Sequence, residues 1–122
     1  MVIEKEEIAI RLATLGYNAT TLDDGLIDYL IQSVYQSILN ECNVEEVPEG
    51  LKFVAIDMIC GHILVNKLAN GAIDIEKAVQ SISEGDTSVT YASGLDPKQF
   101  LLDYYNGLIH NKELVKYRRL VW

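Results

Sequence analysis

Residues 81–91, SISEGDTSVTY, and the run SGLDPKQFLLDYYNGLI at 93–109 decide how the chain is read, because they set a change of periodicity against an explicit helix start. Val79, Ser81 and Ser83 alternate with Gln80, Ile82 and Glu84, and Glu84-Gly85-Asp86 offers turn chemistry. Ser88, Val89, Thr90 and Tyr91 then bring β-branched and aromatic side chains. The pattern predicts a two-stranded hairpin over about residues 79–92. Two strands alone are marginal in water, so such a hairpin is expected to lean on the chain's own helices or to pair with another copy.

The helix that follows is announced by Asp96, a carboxylate able to accept from a free first-turn N–H, with Pro97 at the first helical position. Gln99 completes a capping box on this reading, and Leu95 and Phe100 are spaced as a hydrophobic staple. Phe100, Leu101, Tyr104, Tyr105, Leu108 and Ile109 form its apolar stripe.

Upstream, the periodicity is helical throughout. Ile3, Ile8, Leu12 and Leu15 predict a short first helix closed by Gly16. Thr21 and Asp24 resemble a weaker capping box ahead of an amphipathic helix that runs to Cys42, with Leu26, Ile27, Leu30, Ile31, Val34, Ile38 and Leu39 on one side. Pro48, with Glu45, Glu46 and Glu49 around it, marks the next start. From Leu51 to Ala69, LKFVAIDMICGHILVNKLA is apolar nearly all round, which places that helix at the centre of its domain or partly beneath a neighbouring subunit. Asn70-Gly71 ends it, and residues 74–79 read as a brief turn or helical piece. The expected fold is mainly α: a single domain of 122 residues, four to five helices with the inserted hairpin, and an extended basic, aromatic tail over 112–122.

With 49% hydrophobic residues the chain can bury roughly two-thirds of its unfolded surface. No apolar run reaches the roughly 18 to 20 residues of a membrane span, and MVIEKEEIAIRL carries acids where a signal peptide carries bases, so an intracellular, soluble chain is expected. Cys42 and Cys60 lie in apolar helical stretches without zinc or disulfide spacing and read as buried thiols. The net charge of −8 argues against general nucleic-acid binding. The sign is uneven: residues 1–111 hold 6 bases and 17 acids, whereas 112–122, KELVKYRRLVW, hold 4 bases and 1 acid. Trp122 beside Arg118 and Arg119 fits docking onto a partner. Folding of Val121 and Trp122 back onto the core fits equally well.

No catalytic constellation emerges, since HExxH, GxSxG and P-loop patterns are all missing. His62 and His110 read as structural. Asp57, on the apolar helix, must be paired or lie at an edge, with Lys52, Lys67 or a neighbouring subunit as expected partners. Glu84 and Asp86 are too few for a calcium loop. Neither a cofactor nor a metal is expected.

The order of these parts resembles the head-tail connector (adaptor, or head-completion) proteins of tailed bacteriophages. The residues that carry the likeness are the apolar helix at 51–69, SISEGDTSVTY, the capped helix from Asp96 and the basic ending YRRLVW. The resemblance implies a structural virion protein at the neck, made in the bacterial cytoplasm. There it would form a ring, commonly twelvefold, beneath the portal, extending the DNA channel and joining the capsid to the next neck or tail protein. It implies that Tyr117, Arg118, Arg119 and Trp122 face the portal, and that Ser83, Glu84, Gly85, Asp86 and Thr87 meet the adjacent subunit or the tail side. An acidic wall would let genomic DNA slide without sequence-specific binding. The competing reading is a small helical dimer, a regulatory or antitoxin-like module, although the helix at 22–42 is acidic and reads no DNA groove. A small enzyme comes third.

Overall fold

In a computed structural model of the chain, which describes residues 2–43, 45–85 and 96–110, five α-helices follow one another: α1 (Lys5–Thr14), α2 (Asp24–Cys42), α3 (Lys52–Ala69), α4 (Ile75–Gly85) and α5 (Pro97–Ile109). Short 3-10 turns, Thr21–Asp23 and Glu49–Leu51, lead into α2 and α3. The mainly helical expectation holds. The hairpin does not.

Among the described residues there is no strand, and 79–85, read as the first strand and its turn, form the second half of α4. The reason lies in the spacing of the apolar positions. A strand would have put Val79 and Ile82 on opposite faces, whereas Ile75, Ala78, Val79 and Ile82 fall at helical i, i+3, i+4 and i+7 and share one face. Ala78 and Ile82 are fully buried there, with Ile75 and Val79 packed beside them. Asp74 opens α4 by accepting from the Lys77 N–H at 3.2 Å, and Gln80 donates to Glu84 across one turn, also at 3.2 Å. Residues 86–92, the other half of the expected hairpin, lie outside the described residues.

Helix α3 is the hub. It packs against α1, α2 and α5, and nine of its eighteen residues are buried, from Ala55 to Leu68. At its closest approach to α5 the two backbones nearly touch. A methyl group placed on Gly61 would lie 2.8 Å from Ile109 Cγ1 and 2.9 Å from the Tyr105 carbonyl oxygen, so only glycine permits this crossing. Helix α2 buries Ile27, Val34, Ile38 and Cys42 along one stripe and leaves the other side to solvent, as its amphipathic pattern requires.

The helix ends follow their chemistry closely. Asp96 accepts from the Lys98 N–H at 3.0 Å with Pro97 in the first turn. Gln99, however, reaches forward to Asp103 at 2.8 Å instead of closing a capping box. The box expected at Thr21 and Asp24 forms one residue earlier, where the Thr20 N–H donates to Asp23. Gly16, at φ +89°, turns the chain after α1 beneath α4, with Ala78 Cα 2.7 Å from where a Cβ would stand.

Candidate interaction surface

Two structural ion-pair clusters fix the faces the molecule presents. Asp23 is 3% exposed and is held three ways: Lys67 Nζ at 2.8 Å, the Tyr17 hydroxyl donating at 2.8 Å, and the Thr20 N–H at 3.1 Å. Burial pushes its carboxyl up, but Lys67, Thr20 and Tyr17 together hold it below the ordinary value. The turn before α2 is thereby pinned to the end of α3, and Leu22, 93% exposed, is held out into solvent.

The second cluster ties α1 to the start of α3. Arg11 Nε donates to Asp57 Oδ1 at 2.8 Å, and Lys52 Nζ lies 3.1 Å from Glu7. Asp57 therefore pairs with Arg11 within its own chain, while Lys52 is taken up by Glu7 and Lys67 by Asp23. The first helix, 46 residues away in sequence, supplies the partner. Arg11 is half-buried; burial works against its charge, and Asp57 more than offsets this and raises its pKa.

Between α1 and α3, over these pairs, runs a cleft of about 490 Å³ lined by Glu7, Ile10, Arg11, Thr14, Phe53, Ile56 and Asp57. Its apolar lining stands open: Ile10 is 67% and Phe53 77% exposed. A phenylalanine and an isoleucine thus stand exposed on facing helices and leave apolar surface open between them. The outward face of α2 carries a different character. Tyr29, Gln32, Ser33, Gln36, Ser37 and Asn40 line a shallow depression there, with Glu41 at its end the one charged side chain in the lining.

The interface residues expected from sequence divide. Ser83, Glu84 and Gly85 make the last turn of α4; Glu84 and Gly85 are exposed, and the Ser83 hydroxyl is buried without a partner. Gly85 lines a small cleft of about 310 Å³ with Arg11, Thr14, Leu15, Ser81, Ile82 and Tyr104. Asp86, Thr87, Tyr117, Arg118, Arg119 and Trp122 lie outside the described residues.

What the sequence reading missed is the Ile10–Phe53 cleft. One signal was present, since Ile10 falls off the Ile3, Ile8, Leu12, Leu15 stripe and had no core position to fill. Phe53 gave none, being one apolar residue in a helix apolar almost all round.

Cys42 and Cys60 are buried thiols, as expected, with Cys60 Sγ donating to the Ile8 carbonyl at 3.8 Å. His62 and His110 are exposed, and partial burial and the proximity of His110 hold His62 below the ordinary histidine value. Among the described residues no three His, Cys, Asp or Glu side chains gather to hold a metal, and no helix is long and apolar enough to cross a membrane. No protein-family model, curated protein or solved structure matches the chain.

Proposed function

We propose that this chain is a non-catalytic structural subunit of a phage head-tail connector, assembling as a ring of about a dozen copies beneath the portal and passing genomic DNA toward the next neck or tail protein. The observation that carries the reading is the open apolar cleft flanked by Ile10 and Phe53, on the helix that also forms the centre of the bundle. A ring subunit needs such a face, because heterologous contacts that close on themselves must cover part of each copy. The acidic body, 17 acids to 6 bases over residues 1–111, suits a conduit that must not hold phosphates. The family likeness loses the hairpin as a carrier and rests on the apolar α3, the capped α5 and the basic ending.

In this reading Tyr117, Arg118, Arg119 and Trp122 contact the portal, and the exposed end of α4 at Glu84 faces the next subunit or the tail side. Native mass spectrometry of the chain, alone and mixed with the portal protein encoded beside it, tests the assembly. A species of about a dozen copies in either sample supports it. A stable dimer indifferent to portal overturns it in favour of the regulatory module. Deleting residues 117–122 is expected to abolish portal binding while leaving the helical circular dichroism intact.

A further inference from the structure

We infer that Leu22 of one copy seats in the cleft between α1 and α3 of the next, the turn before α2 acting as a knob and the Ile10–Phe53 cleft as its socket. The contact rests on the ring reading and says which two faces join its copies.

Leu22 is 93% exposed, more than any other large apolar side chain among the described residues. Its turn is nevertheless firmly held. The adjacent Asp23 is buried and bound to Lys67, Tyr17 and Thr20, and the Asp23 N–H donates back to the Thr20 carbonyl at 3.0 Å, so the backbone is fastened on both sides of Leu22. A side chain carried on so fixed a turn gives up little freedom on docking, which is the condition under which one apolar anchor contributes most.

Electrostatics match this knob to that socket. A chain of net charge −8 repels its own copies wherever unpaired acids meet. The charges at the cleft cancel within the chain, Glu7 against Lys52 and Asp57 against Arg11, so what the cleft leaves to be covered is the apolar surface of Ile10 and Phe53. A charged occupant would find no counter-charge there. Residues 12–22 hold no charged side chain, Asp23 is neutralised by Lys67, and Asp24 lies in the field of Lys5. Apolar surface therefore meets apolar surface with no unpaired charge buried on either side. The cleft, about 490 Å³, admits a leucine side chain.

Position makes the pairing one between copies. Lys67, which anchors the turn, stands fourteen residues along α3 from Phe53, about 21 Å of helix. Knob and socket belong to opposite ends of the same helix and do not meet within one chain. Each copy offers one of each, which is the arrangement of a heterologous contact that runs head to tail and closes where the rotation allows.

The test places a photo-crosslinking diazirine amino acid at position 22 of the full chain and mixes light with heavy-isotope protein, free and with portal. Crosslinked peptides are mapped by mass spectrometry. Expected are heavy–light links from position 22 to residues 7–14 and 53–57, with most of the yield lost on Phe53→Glu and none lost on adding salt, which screens the repulsion between copies without touching an apolar contact. In the unlabelled chain Leu22→Asp should abolish assembly and leave the urea denaturation midpoint in place. Links confined to single chains, links to any other segment, or assembly unaffected by Leu22→Asp would each overturn the contact. Native mass spectrometry of the same samples separates this from the ring itself. An intact ring without the expected links removes the contact alone, a dimer that carries them keeps the contact and removes the ring, and a monomer with and without portal removes both.

Discussion

A single buried carboxylate, Asp23, sets the sharpest contrast between ion pairs that hold the fold and those that decorate it. Its three partners satisfy it fully, so Asp23→Ala would strand the Lys67 ammonium, itself only 20% exposed, and is expected to cost about 3 to 5 kcal/mol. Lys5 and Asp28, at 3.1 Å but 42% and 53% exposed, make the control: solvent screens that pair, and Asp28→Ala should leave the denaturation midpoint nearly unchanged. Urea denaturation midpoints of the two variants check both. Titration adds a second reading. The Asp23 carboxyl is depressed in the folded chain, so its contribution is present above the ordinary value of 3.8 and is lost as the pH falls through the folded value. At the alkaline end, burial pushes the Tyr105 hydroxyl and the Cys60 thiol each up to about 12, from 10.0 and 9.0. Unfolded chain gives up those protons first, so stability is full below pH 9 and should decline as the pH rises toward 12. Both thiols should resist a disulfide-exchange reagent until the bundle opens, with labelling that follows the unfolding transition. Residue roles of this kind were only half legible. That Asp57 needed a partner followed from its apolar neighbours, but which cation supplied it depended on how α1 lies across α3, and no local spacing encodes that.

At the scale of helices, the glycines test the packing directly. Gly61→Ala gains helix propensity worth about 1 kcal/mol, yet its methyl would meet a backbone carbonyl at 2.9 Å that cannot turn aside. Overpacking of this sort costs about 1 to 3 kcal/mol, so the net effect should be destabilising. Gly107→Ala, within α5 and with nothing inside 4 Å of its new methyl, should stabilise by about 0.5 to 1 kcal/mol. Thermal melts of the pair therefore move in opposite directions, and a shift of the same sign in both would place the α3–α5 crossing elsewhere. Helix starts were the most readable part of the chain because a cap is local chemistry: Asp96 and Pro97 open α5 as their side chains dictate, and Asn70-Gly71 closes α3, with Gly71 at φ +73°. The misreading of α4 was a choice of period. Polar residues at every second position suggested a strand, but the apolar ones decide what is buried, and Ala78 and Ile82 lie one helical turn apart.

For the molecule as a whole, the decisive question is whether anything covers the Ile10–Phe53 cleft. Because Phe53 is 77% exposed, Phe53→Glu should change the stability of the isolated chain by no more than about 0.5 kcal/mol, as urea denaturation would show; if the proposed ring forms through this face, the same change should weaken it in sedimentation velocity. Loss of folding instead would mean that Phe53 serves the core. The class of fold was legible from helical periodicity, and the central place of α3 from its lack of a polar face. The Ile10–Phe53 cleft was not legible, since it is made by two helices far apart in sequence and exists only after they pack. Helix α3 also carries a mechanical meaning. Since α1, α2 and α5 all rest on the same rod, it serves as a common keel: a displacement of any one of them must first loosen packing that the other two share.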